Sequence, residues 1–142
     1  MRRLARSEAF PNLFLPRPDG TSLELQDLRK HYHAFIVFLS KPDADVAAFV
    51  AHFQAEARLF EWLQARLLVV YARLQDIPTP WPAPGHPPFL RPGDLPEGLA
   101  WDMAYVVSKN GTLLQAYEEP GLATIKELEQ ELLYWEAGHC LP

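Results

Sequence analysis

Two short apolar segments, separated by a segment of helical periodicity, restrict the folds open to this chain most strongly. The residues from Ala34 to Leu39 and from Leu67 to Ala72 are apolar throughout and rich in β-branched and aromatic side chains, which is typical of strands buried on both faces. Between them, from Val46 to Leu63, apolar residues recur at helical spacings, which predicts an amphipathic helix with a kink near residues 54–56. Strand, helix and strand in this order predict a right-handed crossover between parallel strands.

The flanking segments predict two hairpins and a terminal helix. Pro18-Asp19-Gly20 separates two short apolar stretches and favours a turn, because proline presets φ and glycine accepts a positive φ. Asn110-Gly111 between two strand-like segments predicts an antiparallel hairpin with a type I′ turn. Thr124 and Glu127 have the spacing of a capping box, which predicts a helix over residues 124–136.

Length and charge narrow the class of protein. The chain has 142 residues, the size of a single domain, and its formal net charge is −5, whereas nucleic-acid binding needs a clustered positive field. Its longest apolar segments are far shorter than the ~20 residues of a membrane-spanning helix. The basic residues 1–6 are followed by no long apolar stretch. We therefore expect a cytoplasmic protein without a secretory signal that binds neither nucleic acid nor membrane.

Residues 77–98 form a predicted loop insertion that holds eight of the 14 prolines. Proline lacks an amide N–H and restrains the preceding residue, so no regular helix is expected there. A rigid loop with large aromatic side chains is typical of interfaces, which makes Trp81, His86, Phe89 and Trp101 a candidate surface for a protein partner or a second copy. The alternative is that these aromatic side chains are buried as a lid over the sheet edge.

Two motifs carry a resemblance to a known family. Residues 9–28, AFPNLFLPRPDGTSLELQDL, are similar to the opening "APdFtLpdldGktvsLsdL" of peroxiredoxins, and residues 104–113, AYVVSKNGTL, are similar to their "tFvIDkdGtI". Over residues 9–136 the chain thus resembles the thioredoxin-like superfamily, in the branch of peroxiredoxins and alkyl-hydroperoxide-reductase-like proteins. The resemblance implies an α/β thioredoxin-like fold over residues 1–142. This fold has a central mixed β-sheet flanked by helices, here with an N-terminal β-hairpin extension.

The resemblance also implies thiol chemistry at the start of the helix after the first buried strand, where the helix dipole and free N–H groups stabilise a thiolate. In a thioredoxin register, the two cysteines fall near Asp43 and Val46. In a peroxiredoxin register Pro42 matches, but Val46 replaces the hydroxyl residue and Phe49 the attacking cysteine. The single cysteine of the chain is Cys140. Neither register therefore supplies a nucleophile.

A second family feature is missing as well. The cis-proline that precedes the antiparallel strand in the family, and packs against the thiol, falls at about Asp102. The sequence thus predicts a scaffold that has lost the family's reaction, has no catalytic residue, cofactor or metal, and acts by protein contact or self-association. The rival hypothesis is a thiol-dependent antioxidant enzyme that uses Cys140 or a partner's thiol. A third hypothesis is a small-ligand pocket between residues 77–101 and the helix start at Asp43.

Two further groups of polar residues have ordinary structural explanations. Asp43 and Asp45 fit the start of the predicted helix, where carboxylates cap exposed N–H groups and interact favourably with the helix dipole. His31 and His33 have the spacing of two metal ligands on one side of a strand. Because no third ligand is identifiable, we expect both imidazole rings to be solvated at a strand entry.

Overall fold

A five-stranded mixed sheet forms the centre of the structure, a computed structural model that describes residues 3–41, 44–81 and 87–118. The strands are β1 (Phe14–Pro16), β2 (Ser22–Glu24), β3 (His33–Leu39), β4 (Ala65–Tyr71), β5 (Phe89–Leu90), β6 (Met103–Val107) and β7 (Leu113–Tyr117). The order in the central sheet is β5-β4-β3-β6-β7, and β1 and β2 form a separate hairpin. The predicted helix over residues 124–136 and Cys140 lie outside the described residues.

The predicted crossover is confirmed. Strands β3 and β4 pair in parallel from His33 opposite Ala65 to Leu39 opposite Tyr71. The connection contains α1 (Ala44–Ala55) and α2 (Ala57–Trp62). Glu56 between them has φ −98° and ψ 28°, which places the break within the segment where the sequence predicts a kink.

Strand β3 is buried on both faces, and all seven of its residues are inaccessible to solvent. Alternate side chains point to opposite faces of a strand. Phe35 and Val37 therefore pack with the residues of α1 and α2, while Ile36 and Phe38 pack with the N-terminal segment. The sheet is thus covered on two sides, by helices on one and by the N-terminal segment on the other.

Aromatic rings fill much of the helix-covered face. The Phe35 ring stacks on Phe49 of α1 at a centroid distance of 5.0 Å. Phe53 of α1 and Phe60 of α2 stack at 3.8 Å, so this pair joins the two helices across the break. Full burial of one such side chain contributes ~1.5–3 kcal/mol.

The predicted N-terminal hairpin is confirmed, and it covers the opposite face of the sheet. Pro18-Asp19-Gly20 forms its turn, in which Gly20 has φ +91°. The Asp19 carboxylate accepts hydrogen bonds from the Thr21 amide at 2.9 Å and the Thr21 hydroxyl at 2.6 Å. Leu13 and Leu15 are buried against the sheet. The turn sequence therefore sets the hairpin, and its apolar residues attach it to the core.

The β6–β7 hairpin is also confirmed, but its predicted type I′ turn is wrong. A type I′ turn needs a positive φ at both central residues, and Gly111 has φ +82° whereas Asn110 is not in the positive-φ region. The Gly111 amide donates to the Ser108 carbonyl at 2.9 Å, and the Ser108 hydroxyl accepts from the Asn110 and Thr112 amides. These contacts fit a longer loop, a type I turn followed by a left-handed glycine.

The proline-rich segment contains a short strand that the sequence did not predict. Phe89 and Leu90 pair in parallel with Val70 and Tyr71, and so extend the central sheet by one strand. Residues 82–86 of the segment lie outside the described residues. Among the helices in the described part of the chain, none is long and apolar enough to cross a bilayer.

The turn assignment predicts different costs for two neighbouring substitutions. Gly111→Ala places a Cβ at positive φ, which destabilises by ~1–2 kcal/mol, and also against the Arg29 guanidinium, which has to move aside. Asn110→Ala changes a residue of ordinary φ whose amide bond to Ser108 remains, so its effect stays within ~0.5 kcal/mol. Urea denaturation of the two variants measures both values. Equal losses would contradict the assignment and favour a type I′ turn.

Candidate functional site

The position of the family's chemistry lies where β3 ends and the chain enters α1. Ser40 directly follows β3, and α1 begins at Ala44. Pro42 and Asp43, two of the positions that align with the family's active site, lie outside the described residues. Asp102, a third such position, directly precedes β6, the antiparallel neighbour of β3. Ser40 and Asp102 therefore meet at one edge of the sheet.

Asp102 binds the end of β3 through three hydrogen bonds. Its amide donates to the Phe38 carbonyl at 2.7 Å. Its carboxylate accepts from the Ser40 amide at 3.1 Å and from the Ser40 hydroxyl at 2.5 Å. Asp102 has φ +62°, a conformation that aspartate tolerates better than most residues. We refer to this arrangement as the Ser40–Asp102 clasp.

The hydrogen bonds of the clasp use the polar side-chain groups of both residues. Both Asp102 carboxylate oxygens accept from Ser40, and the Ser40 hydroxyl donates to Asp102. A catalytic serine needs a base that is itself oriented by a third group. Within residues 3–41, 44–81 and 87–118, no such third group is bonded to the pair, and no cluster of three His, Cys, Asp or Glu could hold a metal. The geometry of the clasp is that of a structural tie between two strands.

Tyr105 and Trp101 fix the loop that leads to Asp102. The Tyr105 hydroxyl accepts from the Ala100 amide at 3.0 Å, and burial raises the pKa of this phenol. The Trp101 ring meets Phe38 edge-on at 6.0 Å. The Tyr105 ring meets the same Phe38 at 5.8 Å. Aromatic packing on β3 and the clasp therefore hold the same loop.

Val46 and Phe49, the remaining positions that align with the family's active site, are core residues. Val46 is 0% exposed and Phe49 is 1% exposed. Both belong to the cluster between α1 and the sheet, where Phe49 stacks on Phe35. A thiol at position 49 would accordingly face the core and not the solvent.

The sheet separates the aromatic residues of the candidate interaction surface. Trp81 packs edge-on against Tyr71 at 6.0 Å on the helix-covered face. Phe89 and Trp101 pack with the cluster on the opposite face, and Phe89 is 1% exposed. The fourth, His86, lies outside the described residues. Trp81 and Trp101 remain partly accessible, whereas Phe89 is covered.

The expectation of two solvated histidine rings is wrong for His33. His33 is 2% exposed because it is the first residue of β3, where it pairs with Ala65 in the sheet interior. His31 lies outside the strand and is exposed, as expected. The two imidazoles are therefore in different environments, which argues against their use as a ligand pair.

A cavity of about 480 Å³ lies between the β1–β2 turn and the proline-rich segment. Arg17 and Asp19 line it on one side, and Leu74 and Trp81 on the other. We call it the Arg17 cavity. The predicted small-ligand pocket lay between residues 77–101 and the helix start at Asp43, and Arg17 was not predicted because nothing in the sequence shows that the hairpin turn approaches the proline-rich segment.

Comparison with known proteins defines the fold class. No protein-family model and no curated protein matches the sequence. Among solved structures, DsbE from Chlorobium tepidum, a thiol:disulfide interchange protein, superposes with a TM-score of 0.75 and 16% identity over 92% of this chain and 96% of its own. AhpC from Mycobacterium bovis superposes with a TM-score of 0.72 and 15% identity, over 97% and 96% of the two chains.

A third structure, the peroxidoxin BcpB from Mycobacterium tuberculosis, gives a TM-score of 0.69 and 14% identity over 92% of this chain and 97% of its own. The chain has the thioredoxin-like fold, in the form shared by peroxiredoxins and thiol:disulfide interchange proteins. This confirms the fold predicted from the two sequence motifs.

The clasp predicts energetic coupling between its two residues. Ser40→Ala and Asp102→Gly, where glycine keeps the positive φ accessible, should together cost less than the sum of the single losses by ~1–3 kcal/mol, because either change breaks the same charge-assisted bond. Urea denaturation of the four proteins measures this coupling.

Asp94 supplies the control, because it is exposed and takes no part in the hydrogen bonds of Ser40 and Asp102. Ser40→Ala combined with Asp94→Ala should be additive within ~0.5 kcal/mol. Additive losses in the Ser40 and Asp102 pair would show that the clasp contributes nothing to stability.

Proposed function

We propose that the chain is a single-domain thioredoxin-like scaffold that performs neither thiol peroxidase nor disulfide reductase chemistry and acts through protein contact or self-association. One observation supports the absence of thiol chemistry: Cys140 is the single cysteine in the sequence. The family's reaction needs a thiolate at the start of the helix after β3, where backbone N–H groups stabilise it. We further propose a cytoplasmic location.

The surroundings of that helix start support the loss of chemistry. Val46 and Phe49 are packed into the core. At the position where the family has its cis-proline, Asp102 uses both carboxylate oxygens to bind Ser40. A reacting thiol and its substrate would need space and free polar groups at this place. Both are instead taken up by contacts that hold two strands together.

Accessible apolar surface at the proline-rich segment supports the second part of the proposal, that the chain acts through protein contact or self-association. Leu74 is 59% exposed, and Trp81 is partly accessible although its edge packs on Tyr71. Prolines lose little conformational entropy on binding, and large aromatic side chains supply much of the binding energy at interfaces. A partner protein or a second copy of the chain would cover this surface.

The absence of thiol chemistry is tested by peroxide consumption and insulin reduction in the presence of dithiothreitol. We expect wild type and Cys140→Ser to show the same background rate, because no thiol stands at the helix start. An active peroxiredoxin serves as the positive control. Turnover in the wild type that disappears in Cys140→Ser would contradict the proposal and establish the rival hypothesis, a thiol-dependent enzyme that uses Cys140.

Self-association is tested by light scattering across a concentration series. We expect wild type to associate and Trp81→Ala to shift toward monomer by a factor of ten or more in dissociation constant. Trp62→Ala is the matched control, because Trp62 is 66% exposed at the end of α2, away from the proline-rich segment. Equal association of the two variants, or a monomeric wild type, would contradict self-association through Trp81.

A further inference from the structure

We propose that the Arg17 cavity binds a small anionic molecule, a carboxylate attached to a flat apolar body. Its volume of about 480 Å³ falls within the range of ~300–1,000 Å³ that small-molecule sites occupy. The occupant follows from the chemistry of the walls, and it would share Leu74 and Trp81 with the protein contact surface proposed above.

Arg17 is a fixed cation that makes no direct ion pair with a described residue, although its charge interacts with that of Asp19. Its guanidinium carbon lies 4.7 Å from the centroid of the Phe89 ring, and one Nη donates to the Thr21 hydroxyl at 3.3 Å. Its Nε is buried without a hydrogen-bond partner. The ring and the hydroxyl hold the side chain in place, so little side-chain entropy remains to be lost when a ligand binds.

The guanidinium has the shape that a carboxylate recognises. Arginine carries five N–H donors in a planar fork, and carboxylates bind this fork through two parallel hydrogen bonds. In Arg17 one donor is directed to Thr21 and the Nε–H is buried, which leaves the remaining Nη–H groups for a ligand in the cavity. A ligand carboxylate would supply the direct ion pair that Asp19 does not make.

The other walls favour an apolar body and offer few competing donors. Four of the ten lining residues in the described part of the chain are prolines, which have no amide N–H. Leu74, Ile77 and Trp81 supply apolar surface, and the Trp81 ring is braced by its contact with Tyr71. A flat apolar body fits these surfaces. The carboxylate attached to it would accept hydrogen bonds from Arg17.

Asp19 lines the same cavity and sets a limit on affinity. The hydrogen bond from the Thr21 hydroxyl, with a second from the Thr21 amide, lowers the pKa of Asp19, so this carboxylate is ionised at neutral pH. Asp19 already accepts these bonds, whereas Arg17 lacks an ion pair with any described residue. Asp19 is exposed, and its charge partly offsets that of Arg17 without a direct ion pair, so Asp19 weakens the binding of an anion while the Arg17 N–H groups remain available to it.

Three probes of one shape test the sign of the charge that the cavity prefers. Isothermal titration of the full chain with 2-naphthoate, 2-naphthylmethanol and 2-naphthylmethylammonium compares an anion, a neutral molecule and a cation on the same ring system. We expect 2-naphthoate to bind with a millimolar or lower Kd, and about tenfold more tightly than either of the other probes. No binding of 2-naphthoate at millimolar concentration, or tighter binding of the cation, would overturn the proposal.

Variants of the cavity locate the binding. Arg17→Gln should weaken 2-naphthoate about tenfold or more and leave 2-naphthylmethanol unchanged, and Asp19→Asn should strengthen 2-naphthoate two- to threefold. Arg58→Gln, which changes an exposed arginine on α2, should have no effect. Because loss of the Phe89 contact could unfold Arg17→Gln, Trp81→Phe is a second variant, expected to weaken all three probes alike. Binding of 2-naphthoate that is equal in wild type and Arg17→Gln would place the ligand elsewhere and contradict the proposal.

Discussion

The burial of β3 on both faces is the constraint on which the rest of the structure depends. A strand whose seven residues are all inaccessible needs cover on two sides, and neither layer alone can provide it. Phe35 requires α1, and Phe38 requires the N-terminal segment and the loop before β6. The hairpin, the helices and the aromatic loop residues are therefore parts of one packing solution.

This constraint also decides what remains at the end of β3, where related folds carry out their chemistry. The Phe38 ring contacts the rings of Trp101 and Tyr105, and the Phe38 carbonyl accepts a hydrogen bond from the Asp102 amide. The carboxylate of Asp102 then accepts hydrogen bonds from the amide and the hydroxyl of Ser40, the residue that follows β3. Asp102 thus stabilises both the end of β3 and the loop that leads into β6.

Local patterns predicted the parts of the fold that depend on neighbours in sequence. The apolar segment at 34–39, the helical spacing from Val46 and the turn at Asp19 each determine their own conformation, and the structure confirms all three. The predicted type I′ turn at Asn110 was wrong because the turn type depends on the Ser108 hydroxyl, whose hydrogen bonds cannot be read from a dipeptide motif.

The site depended on contacts between distant residues, and these left no signal in a single sequence. Ser40 and Asp102 are 62 positions apart, and Arg17 reaches the Phe89 ring only because two loops meet at one end of the sheet. That no cysteine stands at the helix start could be read from the sequence, because Cys140 is the single cysteine. The contacts of Ser40 and Asp102 near that helix start could not be predicted.

Amide hydrogen exchange at Ser40 tests most directly whether the clasp holds this edge of the sheet. The Ser40 amide donates to Asp102, whereas the nearby Ala72 amide donates to the Leu39 carbonyl. We expect slow exchange at both amides in the wild type, and loss of protection at Ser40 alone in Asp102→Gly. Fast exchange at Ser40 in the wild type would contradict this expectation.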